Sequence, residues 1–251
     1  MNRDTKGLWD KKAKNFPRFQ KDNEEVKKFL DFFREKGVDF RDKNIVDIGC
    51  GNGRYALELT KEAKKVFASD VSSEMLKNLE EDCVKFGIKN IKTILGEWNL
   101  LDLKRDFEID FFDISFASMT PALSTKEGFL KAVKSAKEGL CYIGWGRERK
   151  SSFLEPIFKE HKVELVLPKG LPNVLEWSKE ENLKVAYKYV ENYFVSTKTL
   201  QEAIDDAKWH ITSHNKISNE EKIKEYVEKC AKNGEVSYEQ KREVGLAFIC
   251  S

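Results

Sequence analysis

Two hydrophobic periodicities alternate along the first part of this chain. Strand-like runs rich in apolar residues occur at residues 45–49, 66–70, 91–95, 111–117 and 140–144. Between most of these runs, apolar side chains recur every three or four residues, which is the spacing that buries one face of a helix. Strands that alternate with helices in this way predict a parallel sheet with helices on both faces.

The helical patterns carry residues that begin and end helices. Residues 55–63 predict a helix directly after the first apolar run. The helix after the second run is expected to end at Gly87, because glycine readily adopts the left-handed conformation that closes a helix. The helix before the fifth run is expected to begin with a capping box from Ser124 to Glu127 and to end at Gly139.

The pattern changes beyond residue 145, where helices and strands are mixed. We expect helices at residues 151–162, 172–183, 198–209 and 218–233, and strands at residues 185–195 and 244–250. A capping box from Ser218 to Glu221 begins the last of these helices. The elements together predict the α/β class, with a doubly wound, mostly parallel seven-stranded sheet and helical cap insertions.

Composition narrows the class of protein. The net charge of +2 over 251 residues gives no strong basic field, which argues against a dedicated nucleic-acid binder. The five cysteines show no CxxC spacing, so we expect neither a metal site nor a disulfide framework, and a reducing cytoplasm as the location. Apolar runs stay far below the length of a membrane span, so no membrane partner is expected.

Candidate chemistry concentrates where the first apolar run ends. Residues 46–54 read VDIGCGNGR, in which an acidic residue precedes three alternating glycines. A strand that ends in glycines and turns into a helix brings bare backbone and a positive helix end close to a ligand. Asp70 ends the second run, where a carboxylate can accept hydrogen bonds from both hydroxyls of a ribose. The pattern therefore predicts a cofactor that contains a nucleoside.

Two classes of cofactor fit this pattern. Residues 51–56 also match the dinucleotide fingerprint GxGxxA, although a lone match is weak. Asp47, just before the turn, would repel a pyrophosphate and attract an ammonium group. Glu97 and Trp98, after the third run, can accept a hydrogen bond from an exocyclic amine and cover a purine face. These features favour a cationic adenosyl ligand, with an NAD(P)-dependent oxidoreductase as the alternative.

Four ordered sequence blocks carry a family resemblance. They read VDIGCGNG at residues 46–53, DVSSEML at 70–76, GEW at 96–98 and DISFAS at 113–118. Together they resemble the class I S-adenosylmethionine-dependent methyltransferases, in particular the small-molecule methyltransferases. The resemblance implies a Rossmann-like methyltransferase fold and methyltransferase activity, with S-adenosyl-L-methionine as the cofactor and S-adenosyl-L-homocysteine as the product.

The resemblance also implies roles for individual residues. Asp47 would hold the methionyl amino group, Asp70 the ribose hydroxyls and Glu97 the adenine amine, although the family more often has an aspartate at the last position. Other positions of the matching blocks would contact the remaining parts of the cofactor. They would lie beneath it, around its adenine or near its sulfonium. They are Gly49, Cys50, Gly51, Gly53, Val71, Met75, Trp98 and Phe116.

Several of these residues also have a purely structural interpretation. Asp70 could cap the following helix, Met75 could pack in the core, and Trp98 could be an ordinary half-buried aromatic residue. Residues 9–16 are similar to the N-terminal lid helix of several family members, yet they could simply anchor the N-terminal arm. A protein that binds the cofactor without transferring a methyl group is a further alternative.

The expected division of the chain follows from the resemblance. Residues 1–21 would form an N-terminal lid or arm, and residues 22–145 the S-adenosylmethionine-binding core. Residues 146–251 would complete the sheet and insert helices that bind the methyl acceptor. Aromatic side chains of that part could line an acceptor pocket: Trp177, Tyr187, Tyr189, Tyr193 and Phe194.

The acceptor is less well defined than the cofactor. Residues 118–121 read SMTP rather than the Asn/Asp-Pro-Pro-aromatic motif of members that methylate amino groups of adenine or glutamine, and no Pro-Cys pair offers a pyrimidine nucleophile. A small metabolite is therefore favoured, with an RNA or protein acceptor left open as the alternative. No catalytic residue is assigned, because alignment of an activated methyl group is the main requirement. His161, His210 and His214 are expected to be structural or surface residues.

Overall fold

The computed structural model describes residues 5–164, 166–214 and 216–250. The helices are α1 (Thr5–Ala13), α2 (Glu24–Glu35), α3 (Ala56–Leu59), α4 (Ser73–Phe86), α5 (Lys126–Lys134), α6 (Leu154–Glu160), α7 (Leu171–Glu180), α8 (Leu200–Ser213) and α9 (Glu220–Cys230). The strands are β1 (Asn44–Ile48), β2 (Lys65–Asp70), β3 (Ile91–Leu95), β4 (Phe112–Ser118), β5 (Ala136–Ser151), β6 (Lys184–Thr199) and β7 (Glu235–Cys250). A π-helical turn (Leu103–Phe107) and a 3-10 turn (Pro121–Leu123) flank β4.

Within the described residues, the strands form one seven-stranded sheet in the order β3-β2-β1-β4-β5-β7-β6. Strands β1 to β5 pair in parallel. Strand β7 runs antiparallel to β5, since Gly146 lies beside Glu243 and Ser152 beside Glu239. The predicted doubly wound, mostly parallel sheet is confirmed, and its order changes direction between β1 and β4, where open sheets bind ligands.

The central strands are buried on both faces, as expected for a parallel sheet covered by helices. Ile45, Val46 and Ile48 of β1 have no exposed surface. Helix α4 begins where the Ser72 hydroxyl accepts a hydrogen bond from the Met75 amide, and it ends at Gly87 with a φ of 68°, the residue predicted to close it. These local signals fix where the helix begins and ends beside the site.

Several predicted boundaries are wrong. Helix α3 spans four residues rather than residues 55–63. Helix α5 begins after Thr125, whose hydroxyl accepts a hydrogen bond from Gly128, because Ser124 ends the preceding 3-10 turn. Helix α9 likewise begins after Asn219 rather than Ser218, because the Asn219 side chain accepts a hydrogen bond from the Lys222 amide.

The last three strands are longer than their apolar runs predict. Each of β5, β6 and β7 spans 16 residues, because the pairing continues through polar and charged segments. Gly139 therefore lies inside β5 instead of ending a helix, with a φ of 137°. Its backbone lies so close to β7 that a Cβ atom would be 2.3 Å from the Ile249 carbonyl oxygen.

The described chain divides into two compact units. Unit 1 contains the residues up to Gly144 together with Lys169–Lys188 and the residues from Gly245 onwards. Unit 2 contains Trp145–Pro168 and Tyr189–Val244. Residues after 145 thus contribute to both units. The functional division expected from the sequence, into a lid, a cofactor-binding core and an acceptor-binding part, stays a prediction.

Unit 2 has an apolar core of its own. Helices α6, α8 and α9 contribute to it together with strand β7 and neighbouring residues. Its buried members are Phe153, Leu154, Ile157, Phe158, Val163, Ala203, Ile204, Ala207, Ile211, Ile223, Val227, Val236 and Tyr238. A capping box between Thr199 and Glu202, which the sequence analysis missed, begins α8.

Two further structural features bear on the class of protein. None of the helices in the described ranges is long and apolar enough to cross a lipid bilayer. The five cysteines are free thiols.

We predict that Gly139→Ala destabilises the protein by at least about 2 kcal/mol, because the added Cβ clashes with the main chain of β7 and alanine avoids this positive φ. Urea unfolding measures the loss. Gly87→Ala is the matched control: its φ is 68° with no atom within 4 Å of an added Cβ, so it should cost only about 1 kcal/mol. Equal losses in the two variants would contradict the close approach of β5 and β7.

Candidate active site

The carboxyl ends of β1, β2 and β4 meet at one edge of the sheet in unit 1. Parallel pairing places Asp47 of β1 beside Ala68 of β2 and Phe116 of β4, and it places Asp70 at the end of β2 beside Leu95. The glycine turn follows β1 at this same edge. The structure therefore brings together the two carboxylates and the glycines that the sequence analysis singled out.

The turn after β1 depends on glycine at three positions. Gly49, Gly51 and Gly53 have φ angles of 67°, 54° and 80°, which side chains rarely adopt. A Cβ atom at Gly49 would lie 2.0 Å from the Thr120 hydroxyl oxygen, and one at Gly53 would lie 2.6 Å from a Leu79 methyl group. Glycine is thus required here both by backbone conformation and by packing.

Asp70 is held by the main chain around it. The Gly51 amide donates to its Oδ2 atom and the Ser72 amide to its Oδ1 atom, both at 2.8 Å. Burial raises the pKa of this half-buried carboxyl, while these hydrogen bonds act in the opposite direction. A carboxylate offers about four acceptor sites, so each oxygen can still accept a hydrogen bond from a ligand hydroxyl.

Asp47 is the most deeply buried carboxyl of the site, with 2% of its surface exposed. Burial raises its pKa to about 7, the charge of Asp70 adds to the increase, and a hydrogen bond from the Ala56 amide opposes it. A cation bound beside Asp47 would favour its ionised form. Two carboxylates in a place of low polarity fit a positively charged ligand with hydroxyl groups.

Three other predicted positions, Met75, Phe116 and Cys50, are buried side chains, and their contact with a cofactor stays a prediction. Met75 is buried in the first turn of α4, and Val71 precedes that helix. Phe116 is fully buried, with its ring 5.9 Å from that of Phe33 and 5.1 Å from that of Tyr55. Burial raises the pKa of the Cys50 thiol well above its ordinary value, so it stays neutral.

Trp98 has the geometry of a core residue. Its indole N–H donates to the Gly128 carbonyl at 3.1 Å, its ring packs edge-on against Phe107, and the Lys131 ammonium lies 4.9 Å from the ring centroid. These contacts match the alternative of a packed aromatic residue, and its role beside an adenine stays a prediction. The Glu97 side chain is exposed to solvent.

The N-terminal arm, residues 5–21, lies over the glycine turn. The Ser72 hydroxyl donates to Asp10 at 2.6 Å, and the Asn52 side-chain amide donates to the Phe16 carbonyl at 3.1 Å. A Cβ atom at Gly51 would be 3.5 Å from the Phe16 ring. The arm therefore covers the turn with an aromatic side chain.

Arg18 connects this arm to α4 through hydrogen bonds. Its guanidinium donates two hydrogen bonds to the buried Asp82 carboxylate, at 2.9 and 3.0 Å, and a third to the Asn78 side chain at 2.7 Å. The sequence analysis missed these residues. Asn78 and Asp82 gave a partial signal as polar residues on the same face of α4 as the apolar Met75, but no local pattern indicated Arg18 as their partner.

The histidines have structural roles in unit 2, as expected. The ring of His161 contacts the Ile157 carbonyl at 2.9 Å through Nδ1, so Nδ1 carries the proton, and its Nε2 accepts from the Asn219 amide at 3.1 Å. His210 is buried in unit 2 against Phe158, and His214 contacts the His210 carbonyl through Nδ1.

The aromatic residues proposed for an acceptor pocket differ in how far their side chains are exposed to solvent. Trp177 is buried against Phe129, with ring centroids 5.8 Å apart. Tyr187 and Tyr193 are surface residues, the latter 67% exposed. Their role as walls of an acceptor pocket stays a prediction.

Part of the chain matches a known domain family. Residues 45–140 match a family model described as a methyltransferase domain. A tRNA/tmRNA (uracil-C(5))-methyltransferase from Saccharophagus degradans is 29% identical over 132 residues, which cover 48% of this chain and 36% of that protein. The chain thus spans about a third of the length of this curated relative, and the similarity concerns the domain rather than the whole protein.

Solved structures show the same fold at low sequence identity. An S-adenosylmethionine-dependent methyltransferase from Aquifex aeolicus is 17% identical, with a TM-score of 0.51 over 92% of this chain and 100% of that one. The magnesium protoporphyrin IX methyltransferase of Synechocystis, solved with bound S-adenosylhomocysteine, is 11% identical, with a TM-score of 0.53 over 91% of this chain and 82% of that one. The fold is therefore that of these enzymes.

We predict that Asp47→Asn stabilises the protein, and that this stabilisation is about 2 kcal/mol larger at pH 8 than at pH 5. A carboxyl whose pKa rises on folding from 3.8 to about 7 makes the native state progressively less stable as the pH rises between these values, and asparagine removes this effect. Urea unfolding at both pH values gives the difference. Asp110→Asn, at an exposed ion pair with Lys104, is the control substitution of a surface carboxylate. A stability difference independent of pH would refute the raised pKa of Asp47.

Proposed function

We propose that this chain is a class I S-adenosylmethionine-dependent methyltransferase that transfers a methyl group from S-adenosylmethionine to a small-molecule acceptor, since residues 45–140 match a methyltransferase domain. The observation that supports the proposal most strongly is the pair Asp47 and Asp70 beside an open glycine turn. Asp70 can accept hydrogen bonds from the ribose of either cofactor, whereas Asp47 beside the turn favours an ammonium group and disfavours the pyrophosphate of a dinucleotide. The oxidoreductase alternative is thereby disfavoured.

The residues present fit S-adenosylmethionine at this edge of the sheet. Asp70 would accept hydrogen bonds from the ribose hydroxyls, because its oxygens are already oriented by the amides of Gly51 and Ser72. Asp47 would face the ammonium group, whose charge favours the ionised carboxylate. Other positions around the ligand would be Gly49, Cys50, Gly53, Val71, Met75, Glu97, Trp98 and Phe116.

The cofactor supplies a methyl group that its sulfonium activates. The contribution of the chain is then to align the two reactants and to exclude water. We propose that the N-terminal arm closes the site, since Phe16 lies over Gly51 and Asp10 contacts the start of α4. No side chain is assigned as a general base.

The acceptor proposed is a small molecule rather than RNA, although the curated relative named above acts on tRNA and tmRNA. The nearly balanced charge of the chain supports this choice. Burial also raises the pKa of the Cys50 and Cys141 thiols well above the ordinary value, which disfavours a thiolate nucleophile for pyrimidine methylation. The free cysteines are compatible with the reducing cytoplasm proposed as the location.

Calorimetry and product detection test the proposed activity. S-adenosylhomocysteine should bind with saturation, and NAD and NADP should not. A panel of small amine, hydroxyl and thiol acceptors should then yield S-adenosylhomocysteine above the background without acceptor. Binding of NAD(P) in place of S-adenosylhomocysteine would favour the oxidoreductase, and binding without turnover on small molecules or tRNA would favour a non-catalytic binding protein.

We predict that Asp70→Ala weakens S-adenosylhomocysteine binding at least about tenfold, because charge-assisted hydrogen bonds to the ribose are lost. Asp70→Ala also removes the hydrogen bond from the Gly51 amide. Calorimetry with a 2′-deoxyribose analogue of S-adenosylhomocysteine separates the loss of the ribose contact from the loss of this hydrogen bond. The wild-type protein should discriminate against the analogue, and Asp70→Ala should bind both ligands alike.

Asp110→Ala is the control, since this exposed carboxylate pairs with Lys104 in the structure and should leave both affinities unchanged. Full discrimination between the two ligands in a folded Asp70→Ala variant would overturn the assignment of Asp70 to the ribose.

A further inference from the structure

Three consecutive residues connect the N-terminal arm to the glycine turn and to α4. The Asn52 side-chain amide, inside the turn, donates to the carbonyl groups of Phe16 and Pro17 at 3.1 and 3.3 Å. Asn78 of α4 donates to the Asn52 side chain at 3.1 Å, and its own side-chain oxygen accepts from the Arg18 guanidinium at 2.7 Å. The arm, the turn and α4 therefore share one closed network of hydrogen bonds within unit 1.

The Arg18 guanidinium uses all of its N–H groups to hold the arm against α4. They donate at 2.7–3.1 Å to both carboxylate oxygens of Asp82, to the Glu81 carboxylate, and to the side-chain and main-chain oxygens of Asn78. We name this set of four residues the Arg18 latch. Bidentate, charge-assisted hydrogen bonds of this kind are strong and fix the orientation of both partners.

The latch has the properties of a contact that can open reversibly. Asp82 is 4% exposed while Arg18 pairs with it, whereas the Arg18 side chain is 38% exposed. When the arm lifts, water can reach both charged groups, so neither stays buried without a partner. Opening therefore costs less than breaking an ion pair in the interior of a protein.

The arm also contacts the residues that hold the predicted ribose carboxylate. The Phe16 ring lies 3.5 Å from the position of a Cβ atom at Gly51, and Asp10 accepts from the Ser72 hydroxyl at 2.6 Å. Gly51 and Ser72 are the two residues whose amides donate to Asp70. With the latch closed, the arm thus lies against the place that a nucleoside would occupy.

We propose that the Arg18 latch controls the exchange of the cofactor. S-adenosylmethionine enters and S-adenosylhomocysteine leaves while the latch is open, and the latch then holds the arm over the bound molecule. Arg18 is a positioning residue, because it acts through the arm and the turn. The inference rests on the proposed function and adds which contacts set the rates of binding and release.

Stopped-flow tryptophan fluorescence with S-adenosylhomocysteine and the full chain tests this control. Arg18→Gln should raise the association and the dissociation rate at least about tenfold each, because charge-assisted hydrogen bonds no longer keep the arm closed. Arg18→Lys should raise both rates less, since lysine keeps the charge beside Asp82 but lacks the fork. Damage to the site itself would raise the dissociation rate alone, so a joint rise of both rates identifies a latch.

Arg34→Gln is the matched control. The Arg34 side chain is 36% exposed, close to the value for Arg18, and it pairs with Asp31 and Glu62 away from the arm. This variant loses the same charge and a similar set of ion pairs, and both rates should stay within twofold of the wild-type values.

Cleavage by chymotrypsin after Trp9, Phe16 or Phe19 gives a second readout that needs no acceptor. The bound ligand should slow this cleavage in the wild-type protein, because coupling between the arm and the cofactor is reciprocal. Arg18→Gln should be cleaved faster than the wild type without ligand.

The outcomes separate this inference from the proposed function. Saturable binding of S-adenosylhomocysteine with unchanged rates in Arg18→Gln, or with a rise in the dissociation rate alone, would overturn the latch and leave the proposed function intact. Equal effects of Arg18→Gln and Arg34→Gln would also overturn the latch. Absence of S-adenosylhomocysteine binding by the wild-type protein would overturn both.

Discussion

The active-site architecture depends on the close approach of Asp47 and Asp70 at the carboxyl edge of the sheet. Parallel pairing of β1 with β2 leaves little freedom in where these carboxyls lie, because each strand ends beside its neighbour. Burial raises the pKa of Asp47 to about 7, with the charge of Asp70 adding to the increase, so ionising this carboxyl in the folded protein is costly. A site that holds two acids together in this way is arranged for a cation.

The glycine turn makes this arrangement possible. Its left-handed residues let the chain reverse directly after β1, so that the Gly51 amide reaches Asp70. The same amide orients the carboxylate that would receive the ribose. Backbone conformation, packing against Leu79 and the electrostatics of the site therefore depend on one short segment, which explains why this segment is also the clearest signal in the sequence.

Sequence reasoning succeeded where one local signal determines one local structure. The apolar runs gave the central strands, and Gly87 ended α4 as expected, because only adjacent residues decide these features. Helix starts were less accurate: Thr125 and Asn219 compete as caps with the serines before them, and the chain path around each helix selects between them. The length of β5 was underestimated because its pairing through charged residues depends on β7.

Contacts between distant parts of the chain were beyond sequence reasoning. Arg18 meets Asp82 across 64 positions, and Arg149 meets His210 across 61, so neither pair has a local pattern. Trp98 shows a related limit. An aromatic residue after a strand can cover a ligand or fill the core, and its position in the sequence does not separate the two. The structure shows Trp98 packed with Phe107 and Gly128, while its contact with an adenine stays a prediction.

A crystal structure of the protein with S-adenosylhomocysteine tests the central claim most directly. We expect adenosine at the carboxyl edge of β1 and β2, with both ribose hydroxyls about 2.7–3.2 Å from the Asp70 oxygens. The ammonium group should lie on the side of Asp47. Ligand density at another place in the chain, or an adenosine whose ribose does not contact Asp70, would contradict it.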